Sequence, residues 1–292
     1  MTNEQARRAE LGAFLRGRRD AAERALFGLP PLPRNRRTGL RREEVAYLSG
    51  VSATWYTWLE QARPINPSRQ VLDAVARTLR LTVAEHSYVL SLAGFIPDRP
   101  DASGPVAAAP GAVQRLMDAL GESPAFATTS EWGIAGWNRA YAALYPRVAA
   151  VDPAERNLLW LVFTDPSVRS LLPDWEITSR RFLAEFRAEA GPRLGDPGHL
   201  RLVSRLLEAS EAFRAGWETH DIEGFASRER IFLHPVAGTL HLEHHRLAPA
   251  DHPDLHIVVY TPLPGTDAGD RLRRMLAEPA PPTTRSRRAP SS

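Results

Sequence analysis

Apolar side chains recur three and four apart along the first hundred residues, and each run lies between residues that start or stop a helix. Leu11, Phe14 and Leu15 make one stripe over 6–19, with Arg16, Arg18 and Arg19 beside it. Val45 and Leu48 predict an inward face for a short helix that begins near Leu40 and stops at Gly50, where glycine takes a left-handed backbone without steric cost. Val51 then covers the joint, and Ser52 caps a second short helix whose Tyr56 and Leu59 point inward. That leaves Ala53, Thr54, Thr57 and Trp58 facing out. Ser68 caps a helix carrying Val71, Leu72, Val75 and Leu79, and Thr82 with Glu85 forms a capping box for one more, ending at Gly94. The pattern is five helices over residues 1–98, with a helix-turn-helix at 40–63.

The period then changes. Residues 99–111 have the Pro, Ala and Gly composition of a linker. Over 112–278 the pattern predicts strands at 124–129 and 132–137, helices near 153–164, 174–190, 197–208 and 209–219, and strands at 230–234, 239–246 and 256–261. Two strands, then helices, then three strands is the order of an α+β domain: a five-stranded antiparallel sheet with helices on one face. The end, 279–292, reads as a disordered basic tail.

Charge sharpens this division. The net charge of +3 is uneven: residues 1–100 hold 16 Arg against 10 acids, while 101–278 hold 18 against 24. Arg34, Arg36 and Arg37 in a proline-rich loop are followed by Arg41 and Arg42, a basic strip beside the outward face of the second short helix. Because the first turn of a recognition helix meets base edges and the preceding helix crosses the phosphate backbone, this arrangement predicts a double-stranded DNA interface. Its residues are Arg36, Arg37, Arg41, Arg42, Ser52, Ala53, Thr54, Thr57, Trp58 and Arg63. With 43% apolar residues the chain is expected to fold into real cores. The absence of cysteine excludes disulfides and thiolate metal sites. No apolar run approaches the ~20 residues of a membrane span, and the polar N-terminus predicts a cytoplasmic protein.

Catalytic motifs are missing from the sequence. There is no HExxH helix, glycine-rich phosphate loop or G-x-S-x-G elbow, so no enzyme and no cofactor is expected. Seven of nine histidines fall in 220–256, but on a strand His241, Glu243 and His245 would share one face and His244 the other, against a metal site.

The run Leu40 to Ala46, then Gly50-Val-Ser, then Tyr56-Thr-x-Leu-Glu-Gln, then Asn66-Pro-Ser-x-Gln-Val-Leu-Asp-Ala resembles the actinobacterial branch of XRE-type, lambda-repressor-like regulators related to MmyB. The later half resembles the same family at Trp137-Asn138, Arg156-Asn157, Phe163 with Asp165-Pro166, Asp174-Trp-Glu176, Ser210 with Phe213 and Trp217, and His234-Pro235 with Gly238 and Leu240. Trp58 and Ala62 depart from the pattern, which has arginine and glycine there.

The resemblance implies an all-α DNA-binding domain, a PAS-like ligand-binding domain, and pairing of Glu60 with Arg16, Arg18 or Arg19. It also implies a small hydrophobic ligand such as a fatty-acid-like chain, with Trp137, Trp160, Phe163, Trp175, Phe213 and Trp217 as the expected lining. The expected protein is a sequence-specific DNA-binding transcription regulator that senses this ligand and binds its operator as a homodimer. The alternatives are a ligand- or metal-dependent enzyme with an accessory DNA-binding module, and a regulator that recruits RNA polymerase and senses nothing.

Overall fold

The computed structural model describes residues 2–30, 39–95 and 108–277. The loop arginines Arg34, Arg36 and Arg37, most of the 99–111 linker and the 279–292 tail therefore lie outside the described residues.

The first helix, α1 (Asn3–Ala21), opens on a capping box in which Thr2 and Gln5 satisfy each other's backbone N–H groups. Its Leu11, Phe14 and Leu15 are buried. A 3-10 turn at Arg24–Phe27, absent from the sequence expectations, places Arg24 to donate two hydrogen bonds to Glu44, at 2.6 and 2.7 Å. This ties the turn to α2 (Arg42–Ser49), which ends at Gly50 with φ +69°. Then come α3 (Ala53–Glu60), α4 (Arg69–Thr78) and α5 (Val83–Leu92), capped by Ser52, Ser68 and Thr82 as their sequences predict.

Two local expectations need correction or resolution. Val45 is buried, but Leu48 is 45% exposed, and Ala46 takes its place in the core. At about 100° per residue a stripe centred between 45 and 46 leaves position 48 about 110° off axis. Ala62 ends the recognition helix at φ +57°, so the helix stop that glycine would make freely is made here by a strained alanine.

After α6 (Gly111–Ala119) the chain forms β1 (Ala125–Thr129) and β2 (Ile134–Trp137). The helices α7 (Arg139–Leu144), α8 (Leu158–Thr164), α9 (Pro166–Leu171), α10 (Trp175–Ala190), α11 (Pro197–Ala209) and α12 (Glu211–Glu218) follow. Strands β3 (Arg228–His234), β4 (Gly238–Leu247) and β5 (Leu255–Pro262) complete the sheet, and α13 (Ala268–Ala277) closes over it. The sheet is antiparallel in the order β2-β1-β5-β4-β3.

Period-two alternation sends Phe126, Phe232, Leu240, Leu242, Val258 and Tyr260 to one face, under most of the helices. The other face of β1 and β5 carries Ala125, Ala127, Leu255, Ile257 and Val259, and α6 covers it with Val113 and Met117. This helix adds to the expected one-sided arrangement. The two halves also pack together: Ala190, Leu194 and Ile222 of the α+β region belong to the same buried cluster as Phe14, Tyr88 and Leu92.

Candidate DNA interface and ligand cavity

The outward face of α3 is positioned by what lies beneath it. Ser52 Oγ accepts from the Trp55 N–H at 3.1 Å and fixes the helix start, while buried Tyr56 and Leu59 fix its rotation. Ala53 and Thr54 are consequently exposed, and Trp58 is 44% exposed. Thr57 is half-buried, and its hydroxyl donates to the Ala53 carbonyl at 2.8 Å. Arg41 and Arg63 are exposed at either side. Because this exposure holds with the α+β region in place, the described residues leave the recognition face open. Arg36 and Arg37 lie outside the described residues.

Glu60 anchors the helix from behind. Arg19 donates from Nε at 2.5 Å and from Nη2 at 3.0 Å to its carboxylate, and Arg42 donates from Nε at 2.7 Å. Arg16 donates to the Glu60 carbonyl at 2.9 Å, whereas Arg18 turns away to Glu85. Burial acts to raise the Glu60 pKa, but the hydrogen bonds from Arg19 and Arg42 outweigh it and hold the carboxyl below its usual range. Arg42 thus serves the fold as well as facing solvent, which the sequence alone did not reveal.

The six aromatics expected to line a pocket pack against one another or against arginines. Phe163 meets Trp175 and Phe213 edge-on at 6.0 and 5.2 Å, and Phe213 stacks on Trp217 at 5.4 Å. Four of the tryptophans lie beneath guanidinium groups: Trp137 under Arg156, Trp160 under Arg205, Trp175 under Arg169 and Trp217 under Arg187. None of the six borders either of two small cavities that the described residues leave between the sheet and the helices.

Those cavities have other walls. One, of about 40 Å³, is lined by Tyr141, Tyr145, Leu158, Leu161, Leu171, Leu172, Phe182, Phe232 and Tyr260, with Arg230 among them. A second, of about 30 Å³, shares Leu158, Phe182 and Tyr260 with the first and adds Glu185 and His244. Burial, against nearby arginines, pushes Glu185 up to about 7. Burial and then the Arg230 charge bring His244 down to about 4. The sequence signal for this site was an arginine at position 230 on the same strand face as Phe232 and His234.

On the other face of β4, His241 contacts Glu229 at 2.6 Å and His245 contacts Thr261 at 3.0 Å. Among the described residues no group of three His, Cys, Asp or Glu is placed to hold a metal ion, and no helix is long and apolar enough to cross a membrane.

Two family profiles match the chain. The helix-turn-helix domain covers residues 10–88, and the MmyB-like transcription regulator ligand binding domain covers residues 109–276. No curated protein matches the sequence. The first match spans the open recognition face and the second spans the sheet with its internal cavities, so the chain belongs to the MmyB-like transcription regulators, DNA-binding proteins that carry a ligand-binding domain.

Proposed function

We propose that this regulator reads a double-stranded operator with α3 and responds to a small hydrophobic ligand held between the sheet and α8 to α10. Ser52, Ala53, Thr54, Thr57 and Trp58 meet base edges and the flanking backbone, while Arg36, Arg37, Arg41, Arg42 and Arg63 meet phosphates. The observation that carries the first half is the open row Ala53, Thr54 and Trp58 above a buried, hydrogen-bonded Glu60. The protein works in the cytoplasm and binds as a homodimer, each copy taking one half-site about one helical turn from the next.

A cavity of about 40 Å³ is far smaller than the ~300 Å³ or more typical of ligand sites. A ligand therefore enters by parting helices from sheet, and α10 is the element that moves. It carries Phe182 in the cavity wall at its middle and Ala190 against the helix-turn-helix core at its C-terminal end. A ligand favouring the parted state shifts the population toward the matching arrangement of α1 and α5.

The test of DNA reading is selection of bound sites from a random duplex library. Thr54→Ala should weaken the selected site by roughly 1–3 kcal/mol and alter preference at one or two positions. Thr57→Ala should cost less, since its hydroxyl proton is already given to the Ala53 carbonyl. Identical site preferences for the wild type and both variants would remove α3 from the role.

A further inference from the structure

Helix α3 contains no arginine, lysine, asparagine, glutamine or aspartate, and its one charged side chain, Glu60, is buried and held by Arg19 and Arg42. What it turns outward is Ala53, Thr54 and Trp58, the last 44% exposed, with Thr57 half-buried beside them. Thr54 and Trp58 are four apart and so share a stripe, separated by about 6 Å along the helix axis. The polar atoms on this face are few. Ser52 Oγ already accepts from the Trp55 N–H at 3.1 Å, and the Thr57 hydroxyl gives its proton to the Ala53 carbonyl at 2.8 Å. That leaves the Thr54 hydroxyl, which suits any base edge, and the indole N–H of Trp58, a single donor that cannot form the paired bonds by which guanine or adenine is told apart. Gln61 is exposed as well, but it stands at the C-cap, about 10 Å beyond Thr54 and past the N-terminal part that meets base edges. Arg41 and Arg63 flank the face and meet phosphates, contacts that position the helix and carry no sequence information.

We propose that this regulator recognises its operator by the 5-methyl groups of thymine, with Thr54 and Trp58 reading two thymines about two base pairs apart in the major groove. This rests on the reading that α3 enters the operator. In the major groove an A·T pair presents one methyl group, that of thymine, whereas the G·C edge presents donors and acceptors and no methyl. The Trp58 ring and the Thr54 methyl gain by covering the thymine methyl, since the surfaces on both sides leave water. Set against G·C, the same side chains would strip water from polar groups and return few hydrogen bonds. The ~6 Å between Thr54 and Trp58 spans about two base-pair steps of ~3.4 Å, which sets the spacing. These two are then the specificity residues, and the arginines around them supply affinity.

The experiment takes the site selected from the random duplex library and measures its affinity for the full-length protein by fluorescence anisotropy, with deoxyuridine replacing each thymine in turn. That exchange removes the methyl and keeps the pairing edge. Two thymines about two base pairs apart should each cost about threefold on losing the methyl, while the other thymines of the site should be silent. Cytosine at either position should weaken binding, and 5-methylcytosine should recover about threefold of the loss. Thr54→Ser, which keeps the hydroxyl and loses the methyl, should abolish discrimination of thymine from deoxyuridine at one position, and Thr54→Val, which keeps the methyl, should retain it. Trp58→Arg should exchange thymine for guanine at the other. A selected site indifferent to deoxyuridine throughout, but altered by Thr54→Ala, overturns the thymine assignment and leaves α3 as the reading helix. A library that yields no preferred site, or one that Thr54→Ala and Thr57→Ala leave unchanged, overturns the reading of α3 and the thymine assignment with it. The deoxyuridine series uses the wild-type protein, so it decides the matter even if a variant does not fold.

Discussion

At the scale of single residues, the helical half depends on one carboxylate. Glu60 takes hydrogen bonds from Arg19 and Arg42, and Arg19 is itself buried, so Glu60→Gln leaves a desolvated cation with half its partner. Breaking a buried pair on one side costs roughly 3–5 kcal/mol, and urea unfolding should show a loss of that order. The pH dependence has a definite sign: a carboxyl held below its unfolded value stabilises the fold above that value, and the contribution disappears as pH falls through the folded pKa. His199 adds a second acid-sensitive window. Burial, then the Arg193 charge, lowers it to about 4, and its ring stacks on Phe186 at 5.2 Å. The unfolded chain takes up the proton near pH 6.5 while the folded chain resists to about 4, so stability is lost on going down through that window. At ~1.4 kcal/mol per pK unit the loss from pH 7 to pH 5 is about 2 kcal/mol for this residue. His199→Phe should remove that part of the slope in denaturant titrations at the two pH values, while His244, shifted in the same direction, keeps the remainder. The Glu60 partnership was legible because it came with the family pattern. The role of His199 was not, since a lone histidine among apolar residues gives no sign of what will bury it.

At the scale of elements, legibility followed locality. Helices α3 to α5 were readable because spacing and caps lie within a few residues, as with Ser52, Ser68 and Thr82. Helix α7 has only six residues, and α6 begins inside a stretch that reads as linker; both take their order from the sheet they cover. The close approach of α1 and α3 also escapes pattern reading, and it depends on glycine. A Cβ at Gly12 would lie 2.6 Å from the Glu60 carbonyl oxygen and 2.9 Å from that of Leu59, both backbone atoms. Gly12→Ala should therefore push the recognition helix away, cost roughly 1–3 kcal/mol in stability and weaken operator binding in gel-shift titration. Gly17, on the same helix, has nothing within 4 Å, and Gly17→Ala should instead stabilise by about 0.5–1 kcal/mol. Ala62→Gly tests the strained stop: with φ at +57°, glycine should stabilise by about 1 kcal/mol, measured as a raised urea midpoint.

At the scale of the whole molecule, the linker reading suggested two halves tethered in sequence, whereas the described residues show them sharing a core. Ala190, Leu194 and Ile222 fill the cluster around Phe14 and Tyr88. Polar contacts reinforce it: His220 Nδ1 lies 3.4 Å from the Glu10 carboxylate, Arg18 donates to the His220 carbonyl at 3.0 Å, and Gly195 N–H donates to Asn3 at 3.0 Å. Periodicity cannot show this, because an apolar residue facing its own domain and one facing a neighbour follow the same spacing. Gly191 marks the tightest point, where a Cβ would stand 2.1 Å from Ser91 Oγ and 3.2 Å from its Cβ, on the buried side of α5. Gly191→Val should separate α10 from α5 without touching the cavity wall or α3. Differential scanning calorimetry should then resolve two transitions where the wild type gives one, and hydrogen exchange should rise on α1 and α5 but not in β4 and β5. Coupling between ligand and operator is a free energy shared by the two sites, so it should fall toward zero when the packed path between them is opened. Octanoate, a probe for the expected fatty-acid-like ligand, should bind the variant as it binds the wild type, and the operator without octanoate should bind as before. The factor by which octanoate changes operator affinity should decline to about one. If that factor survives in a variant whose halves melt apart, the signal does not travel through α10 and α5, and this interface only holds the molecule together.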